Sequence, residues 1–316
     1  MCNQWRNKND SELSLDEWKN TLEQLKENNI REVVFSGGEP FLRGDLLEII
    51  SYAKTLKFKV GIITNGYLLE RVILDKLIDL GVDSISISLD GDEEQFDRIR
   101  GVKGAYKKVI NSCKMLSEYR KKKALSVYLC FTLMKDTLSS YRSVLRISQH
   151  FNIPLVVNLF DYTPYFFKSL EKEQFWIKGN YDLERLKELQ RLFIEKKKEN
   201  PKSIYHTYSE IKYFRSYFKD PLQKNIPCVV SQQRLGIDSC GNVFGGCWSM
   251  GSFGNLRERS LKEIMNSDKY KLAHKNMFFK NCPGCSCGYI TNLRYNISFL
   301  LKEAIFSLPI LRRKYF

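Results

Sequence analysis

The chain has 316 residues, 43% of them apolar, and a formal net charge of +15. That length buries a full core and suits one large domain with a smaller one, while the lack of a secretory signal or a bilayer-length apolar run makes the cytoplasm the expected compartment. The basic runs 120–123, 196–198 and 312–314 carry none of the aromatic interleaving of a nucleic-acid groove, so nucleic acid is not an expected partner. Nine cysteines in a reducing compartment point to metal or thiol chemistry rather than disulfides.

The chain opens on Met1-Cys2-Asn3-Gln4-Trp5. A Ser-x-x-Glu capping box at Ser14 and Glu17, followed by Trp18, Leu22 and Leu25, predicts the first helix. The stretch VVFSGGEP, Val33 to Pro40, reads as a short buried strand running into two glycines, an acid and a proline. Gly37 and Gly38 let a ligand approach the backbone, Glu39 stands at the strand's carboxyl end and Pro40 stiffens the exit; alone, the same residues also suit a tight turn before a helix. A helix at 45–56 follows, then a strand at 59–63 ending in Thr64-Asn65-Gly66, and a helix at 68–80. Next come a strand at 84–89 ending in Asp90-Gly91, a helix at 104–119, a strand at 125–133, a helix at 138–151 and a strand at 155–160.

Strand and helix thus alternate five times, which predicts an α/β fold with a parallel, barrel-like sheet. The loops SGGEP, TNG and SLDG all follow strands and so fall on one rim, where such folds keep their chemistry. Ser84, Ser86 and Ser88 alternate with isoleucine and share one face. Either that face lines the barrel and meets a polyhydroxylated ligand such as a ribose, or the strand is an edge with its serines in water.

From Tyr162 to Pro227 the pattern changes to aromatic, lysine-rich helices, clearest over 181–198, read as a connection or a cover over the barrel mouth. His206 reads there as a surface or packing residue. Beyond Cys228, a strand at 234–237, a turn at Cys240-Gly241-Asn242 and a strand at 243–247 form a hairpin. Gly254-Asn255-Leu256, a helix from Leu261 and the knot Cys282-Pro-Gly-Cys285-Ser-Cys287 follow. CxxC spacing brings two sulfurs onto one ion or cluster, tetrahedral zinc being the generic reading. Cys240, at the hairpin turn, is the poorest ligand, and Cys113 and Cys130 read as packing residues. The tail 295–316 is a basic amphipathic segment suited to docking on the protein or to peripheral membrane contact.

Cys2, Ser36-Gly-Gly-Glu-Pro, Thr64-Asn-Gly, Ser88-Leu-Asp-Gly, Asp97 and Ile99-Arg100-Gly101, in this order, resemble the radical S-adenosylmethionine (radical SAM) enzymes. The resemblance implies a partial (β/α)6 TIM-like barrel. It also implies that Gly37, Gly38, Glu39 and Pro40 hold the methionine moiety of S-adenosyl-L-methionine, with Ser86, Ser88 and Asp90 near its ribose and carboxylate and Thr64, Asn65 and Arg100 assisting. The family's CxxxCxΦC motif binds a [4Fe-4S] cluster; Cys2 matches its last cysteine, while the first two, with the first barrel strand, fall before residue 1. A single thiolate does not hold a cubane, so the chain reads as one truncated at the front, with a catalytically inactive iron–sulfur or zinc module as the alternative.

The pattern C-x12-G-x5-C, GNL, helix, CxxC is similar to the SPASM or twitch auxiliary-cluster domain. That similarity implies one auxiliary [4Fe-4S] cluster on Cys228, Cys247, Cys282 and Cys285, with Cys287 as a substitute. The expected organisation is a barrel over 1–160, a helical connection over 161–227, the auxiliary domain over 228–290 and the tail over 291–316. The implied activity is reductive cleavage of S-adenosylmethionine to a 5′-deoxyadenosyl radical that abstracts hydrogen from a peptide, protein or cofactor precursor, with flavodoxin or ferredoxin as electron donor.

Overall fold

The computed structural model describes residues 11–122, 124–161, 173–221, 230–247 and 250–278. All five expected strands form: β1 Glu32–Phe35, β2 Lys59–Thr64, β3 Ser84–Ser88, β4 Ser126–Leu133 and β5 Leu155–Leu159. They pair in parallel in the order β1-β2-β3-β4-β5, so every carboxyl end lies on one rim. Helices α1 Leu15–Glu27, α2 Leu46–Thr55, α3 Arg71–Asp79, α4 Glu93–Arg100, α5 Ala105–Lys122 and α6 Tyr141–His150 accompany them. The helix α1 starts at the expected capping box, Ser14 with Glu17.

Alternation sorts the strand residues onto two faces. Val60, Ile62, Ile85, Ile87, Leu129, Phe131, Leu155 and Val157 are at most 1% exposed and belong to the core shared with the helices. The opposite face carries Val34, Gly61, Ile63, the three serines of β3, Tyr128, Cys130 and Asn158, all in register. It is the open face, with Val34 51% and Ile63 41% exposed.

The chain departs from its expected pattern in four places. The helix α4 was not expected; Asp92 caps its start by accepting from Gln95 N, and Gly101, with φ 69°, ends it in the left-handed conformation. The aromatic, lysine-rich stretch forms α7 Asn180–Glu199 and α8 Tyr208–Lys219, which dock at the β5 edge rather than only bridging two domains. Phe193 of α7 meets Tyr141 of α6 edge to face, and Leu155 forms an isolated parallel bridge with Ile204. His206 is buried: its Nε2 accepts from Val157 N at 2.9 Å and its Nδ1 faces Glu210 Oε2 at 3.3 Å. An Nε2 that accepts places the ring proton on Nδ1, so the histidine is a packing residue that closes the sheet edge.

The third departure is in the small domain, where the hairpin is a three-stranded antiparallel sheet, β6 Gly236–Ile237, β7 Asn242–Phe244 and the unexpected β8 Ser252–Asn255. The strands β6 and β7 are shorter than the segments expected for them. The fourth is a division of the helical region after it, which comprises α10 Leu261–Asn266 and α11 Asp268–Phe278, preceded upstream by the short α9 Val230–Gln233. This unit is clasped to α1. Arg257 donates to both carboxylate oxygens of Glu17 and to the carbonyls of Ser11 and Glu12, and Leu261 N donates to Gln24 Oε1 at 2.7 Å. The Arg257 hydrogen bond is the main reason that the Glu17 carboxyl is pulled down to about 2, with Ser14 N–H assisting.

Gly66, after β2, has φ +75° and no room for a side chain, since an added Cβ would lie 2.4 Å from Ile87 Cδ1. Replacing it with alanine adds backbone strain and overpacks the core, and is expected to destabilise the protein by about 2 kcal/mol, read as a lowered thermal midpoint.

Candidate functional site

The rim is assembled by carboxylates acting within the protein. After β1 the chain passes through Ser36, Gly37 and Gly38, all exposed, with Gly37 at φ +133°, a conformation that glycine adopts without strain. Nothing lies within 4 Å of a Cβ added at Gly37 or Gly38, so the backbone there faces open space. Glu39 then caps a 3-10 turn, Pro40–Leu42, with proline in its first turn. The Glu39 carboxylate reaches across to the β2 rim: Oε1 accepts from Thr64 Oγ1 and Oε2 from Asn65 N, each at 2.7 Å. Thr64 Oγ1 in turn accepts from Gly66 N, and Asn65 Oδ1 accepts from Tyr67 N. Glu39, Thr64 and Asn65, singled out in sequence as separate candidates, therefore form one hydrogen-bonded unit beside the open glycine backbone.

A second tie lies at the end of β3. Asp90 is 1% exposed; its Oδ1 accepts from Thr132 N at 2.8 Å and its Oδ2 from Arg100 at 2.7 Å. The Arg100 guanidinium also lies over the Phe96 ring, 4.9 Å from its centroid. Asp97 accepts from Gly104 N and Tyr106 N, and these two backbone donors hold its carboxyl below the usual range. Asp90 and Arg100 thus spend their charges on each other, and Asp97 fastens the loop between α4 and α5.

Ser84, Ser86 and Ser88 sit half-buried on the open face of β3, the middle strand of five, which removes the edge-strand alternative. Tyr128, Cys130 and Asn158 share this face and were not singled out as site residues. Cys130 is not a packing residue against the helices. Although part of the residue is exposed, burial pushes its thiol up to about 11. Cys113, inside α5, packs as expected, and burial pushes its thiol up to about 12.

Of the sulfurs expected to hold clusters, Cys2, Cys228, Cys282, Cys285 and Cys287 lie outside the described residues. Cys247 is half-buried and not in a disulfide. A Cβ added at its neighbour Gly246 would lie 2.1 Å from Val230 O, so the segment leading to Cys247 runs against the backbone two residues past Cys228. His274 of α11 borders Gly245, and its Nε2 is buried without a hydrogen-bond partner. Partial burial holds the His274 imidazole below its usual pKa. Cys240 is buried in the hairpin turn beside Ser11 and Ser239. Among the described residues no three His, Cys, Asp or Glu side chains are grouped to hold a metal. No helix among them is long and apolar enough to cross a membrane.

Parallel strands whose carboxyl ends share a glycine-rich rim, with a small antiparallel sheet beside them, define an α/β fold of the TIM-barrel-like kind. Residues 1–145 match the Radical SAM superfamily model and residues 228–288 the SPASM model, described as an iron-sulfur cluster-binding domain. The chain thus carries a radical SAM domain and a SPASM domain, and this pair of domains implies S-adenosylmethionine and iron–sulfur clusters as cofactors. The Fe-coproporphyrin III synthase of Methanosarcina barkeri is 31% identical over 147 residues, 46% of this chain and 36% of that protein. The PqqA peptide cyclase of Bradyrhizobium diazoefficiens is 39% identical over 108 residues, 34% of this chain and 28% of the relative. The matched stretch therefore spans about a third of each curated relative. The crystal structure of Streptococcus suis SuiB bound to S-adenosylmethionine superposes with TM-score 0.64 at 19% identity, over 93% of this chain and 70% of that one, a likeness of fold.

Two outcomes follow from this geometry. Asp90→Ala strips the Thr132 N–H and the Arg100 guanidinium of their shared acceptor and is expected to cost about 3 kcal/mol in chemical denaturation. At pH 8 a thiol with pKa near 11 is about one part in a thousand thiolate, against roughly a quarter for a free cysteine. Cys130 and Cys113 are accordingly expected to resist iodoacetamide in the native protein and to react once it is unfolded, read by peptide mass spectrometry.

Proposed function

We propose that this chain is the catalytic part of a radical SAM enzyme that modifies a peptide substrate in the cytoplasm, with one auxiliary [4Fe-4S] cluster and a flavodoxin or ferredoxin as electron donor. The observation that carries the reading is the common rim: the loops after β1, β2 and β3 stand side by side, two of them joined through Glu39. The exposed backbone of Gly37 and Gly38 is free to meet the methionine ammonium, with Glu39 held beside it at a fixed position. Ser86 and Ser88, on the open face, offer hydroxyls to a ribose, and the Asp90–Arg100 pair keeps the β3 loop in register with them. When bound, S-adenosylmethionine would supply, on one-electron reduction and cleavage of its C5′–S bond, the radical chemistry of hydrogen abstraction, and Cys2 would be among the ligands of the cluster that reduces it. The chain's own residues bind it, orient it and present the open sheet face to the substrate. Cys228, Cys247, Cys282 and Cys285, with Cys287 as a substitute, hold the auxiliary cluster in this reading. A peptide is the substrate class favoured because the matched peptide cyclase acts, by its name, on a peptide.

Equilibrium dialysis of S-adenosylmethionine against the anaerobically purified full chain tests the rim. Wild type is expected to bind, and Glu39→Ala to bind at least about tenfold more weakly, since the variant loses both a charge and the inter-loop tie. Equal binding by the two proteins refutes the assignment of Glu39. Iron and acid-labile sulfide are expected in equal amounts in the same preparation; zinc without sulfide refutes the auxiliary cluster.

A further inference from the structure

The helices α7 and α8 form an antiparallel pair whose inner seam is apolar: Leu186, Leu189 and Phe193 on one side, Ile211 and Phe214 on the other, are fully buried. Gln190 locks the seam by donating from its side-chain amide to the carbonyls of Ile211 and Lys212. Above the seam lies an open cleft of about 290 Å³. Its walls are two helical stripes of cations, Lys187 and Arg191 at spacing four on α7, and Lys212, Arg215 and Lys219 at spacings three and four on α8. No acidic side chain stands among the described residues lining the cleft; the carboxylate that reaches in from outside is Glu184, which pairs with both Lys187 and Arg215 at 3.2 Å.

Helix electrostatics explains only part of this. Lys219, in the last turn of α8, complements the helix dipole, but Lys187 and Arg191 lie within α7 and gain nothing from its ends. Like charges facing one another across a groove repel, and an anion lying between them relieves that repulsion. The cleft also has a direction. Tyr217, one turn from its α8 end, donates to Phe160 O just past the rim end of β5. The α8 end of the groove therefore lies level with the carboxyl end of β5, on the side of the sheet where the strand-end loops gather, the glycine loop being at the far edge after β1.

We propose that this cleft docks an acidic segment of the peptide substrate and so delivers a neighbouring segment to the rim. The inference rests on the peptide-modifying reading given above. The lining favours a peptide over other polyanions. Among the described residues its lining has no aromatic side chain on which nucleic-acid bases stack, and Ile194 is the sole large apolar residue of that lining, too little to seat on a lipid surface. A row of carboxylates spaced along an extended chain matches cation stripes about one helical turn long on α7 and two on α8.

The test is fluorescence anisotropy of a fluorescein-labelled peptide of alternating glycine and glutamate with the full chain. Binding is expected, and is expected to weaken as salt is raised from dilute buffer to several hundred millimolar. Arg191→Gln/Lys219→Gln is expected to weaken it by about fivefold, while the same charge change made elsewhere, Lys76→Gln/Lys262→Gln, leaves it unaltered. No binding, an equal loss in both double variants, or tighter binding of polyuridylate or of phosphatidylglycerol vesicles than of the peptide overturns the proposal. Thermal melts accompany the titrations. Should the cleft variant melt early, photo-cross-linking of the peptide to the wild-type chain decides: adducts within 187–219 support the site, and adducts elsewhere overturn it. The assay needs neither cluster nor S-adenosylmethionine, so its failure leaves the rim reading standing, and failure of the rim reading leaves the assay's outcome unaffected.

Discussion

The fold depends on a parallel sheet sealed on one face and open on the other. Parallel strands ordinarily lie between two layers of helices and read as unbroken apolar runs. Here the middle strand alternates serine with isoleucine, and the two isoleucines are wholly buried while the serines keep contact with the open side. A sheet so patterned cannot accept a second helical layer without stranding hydroxyls in an apolar interface. It has to curve around a polar space, and that requirement is what separates a barrel from a doubly wound sheet here.

Once the sheet is parallel and in sequential order, its carboxyl ends must gather, and the loops that leave them need fastening. The chain does this with buried or half-buried carboxylates that are satisfied internally. Glu39 fastens the first loop to the second, and Asp90 fastens the third to the backbone of β4 and the end of α4. The acids at the rim are therefore structural before they are chemical. A preorganised carboxylate of this kind meets a cation without first paying the entropy of being ordered.

Much of this was legible in the sequence. Most strands announce themselves as short apolar runs, β3 by its period-two alternation, and the rim loops by small and polar residues placed just after them. What escaped has identifiable causes. The helix α4 contains only Phe96 and Ile99 as apolar residues, so it has no amphipathic stripe, and its signals were the flanking cap residues Asp92 and Gly101. The open-face position of Cys130 is encoded in its parity with Tyr128 and Thr132, but an apolar run such as VYLCFTL reads as buried on both sides. His206 is drawn inside by the edge N–H of Val157, a partner 49 residues away that leaves no local trace. The strand β8 buries only Phe253, too little for a periodic signal. The cysteine knot was conspicuous as spacing, yet most of it lies outside the described residues.

The clasp of Arg257 on Glu17 spans 240 positions of sequence. At ribosomal rates of about 5–20 residues per second, α1 waits roughly 12–48 s for its partner to be made. During that interval the face of α1 that later receives Leu261 and Arg257 is bare, and the growing barrel is held by the core its strands share with α2 to α6. Closure of Arg257 upon α1 thus follows synthesis of the whole parallel sheet, and a nascent chain halted before Arg257 would present an unclasped first helix to chaperones.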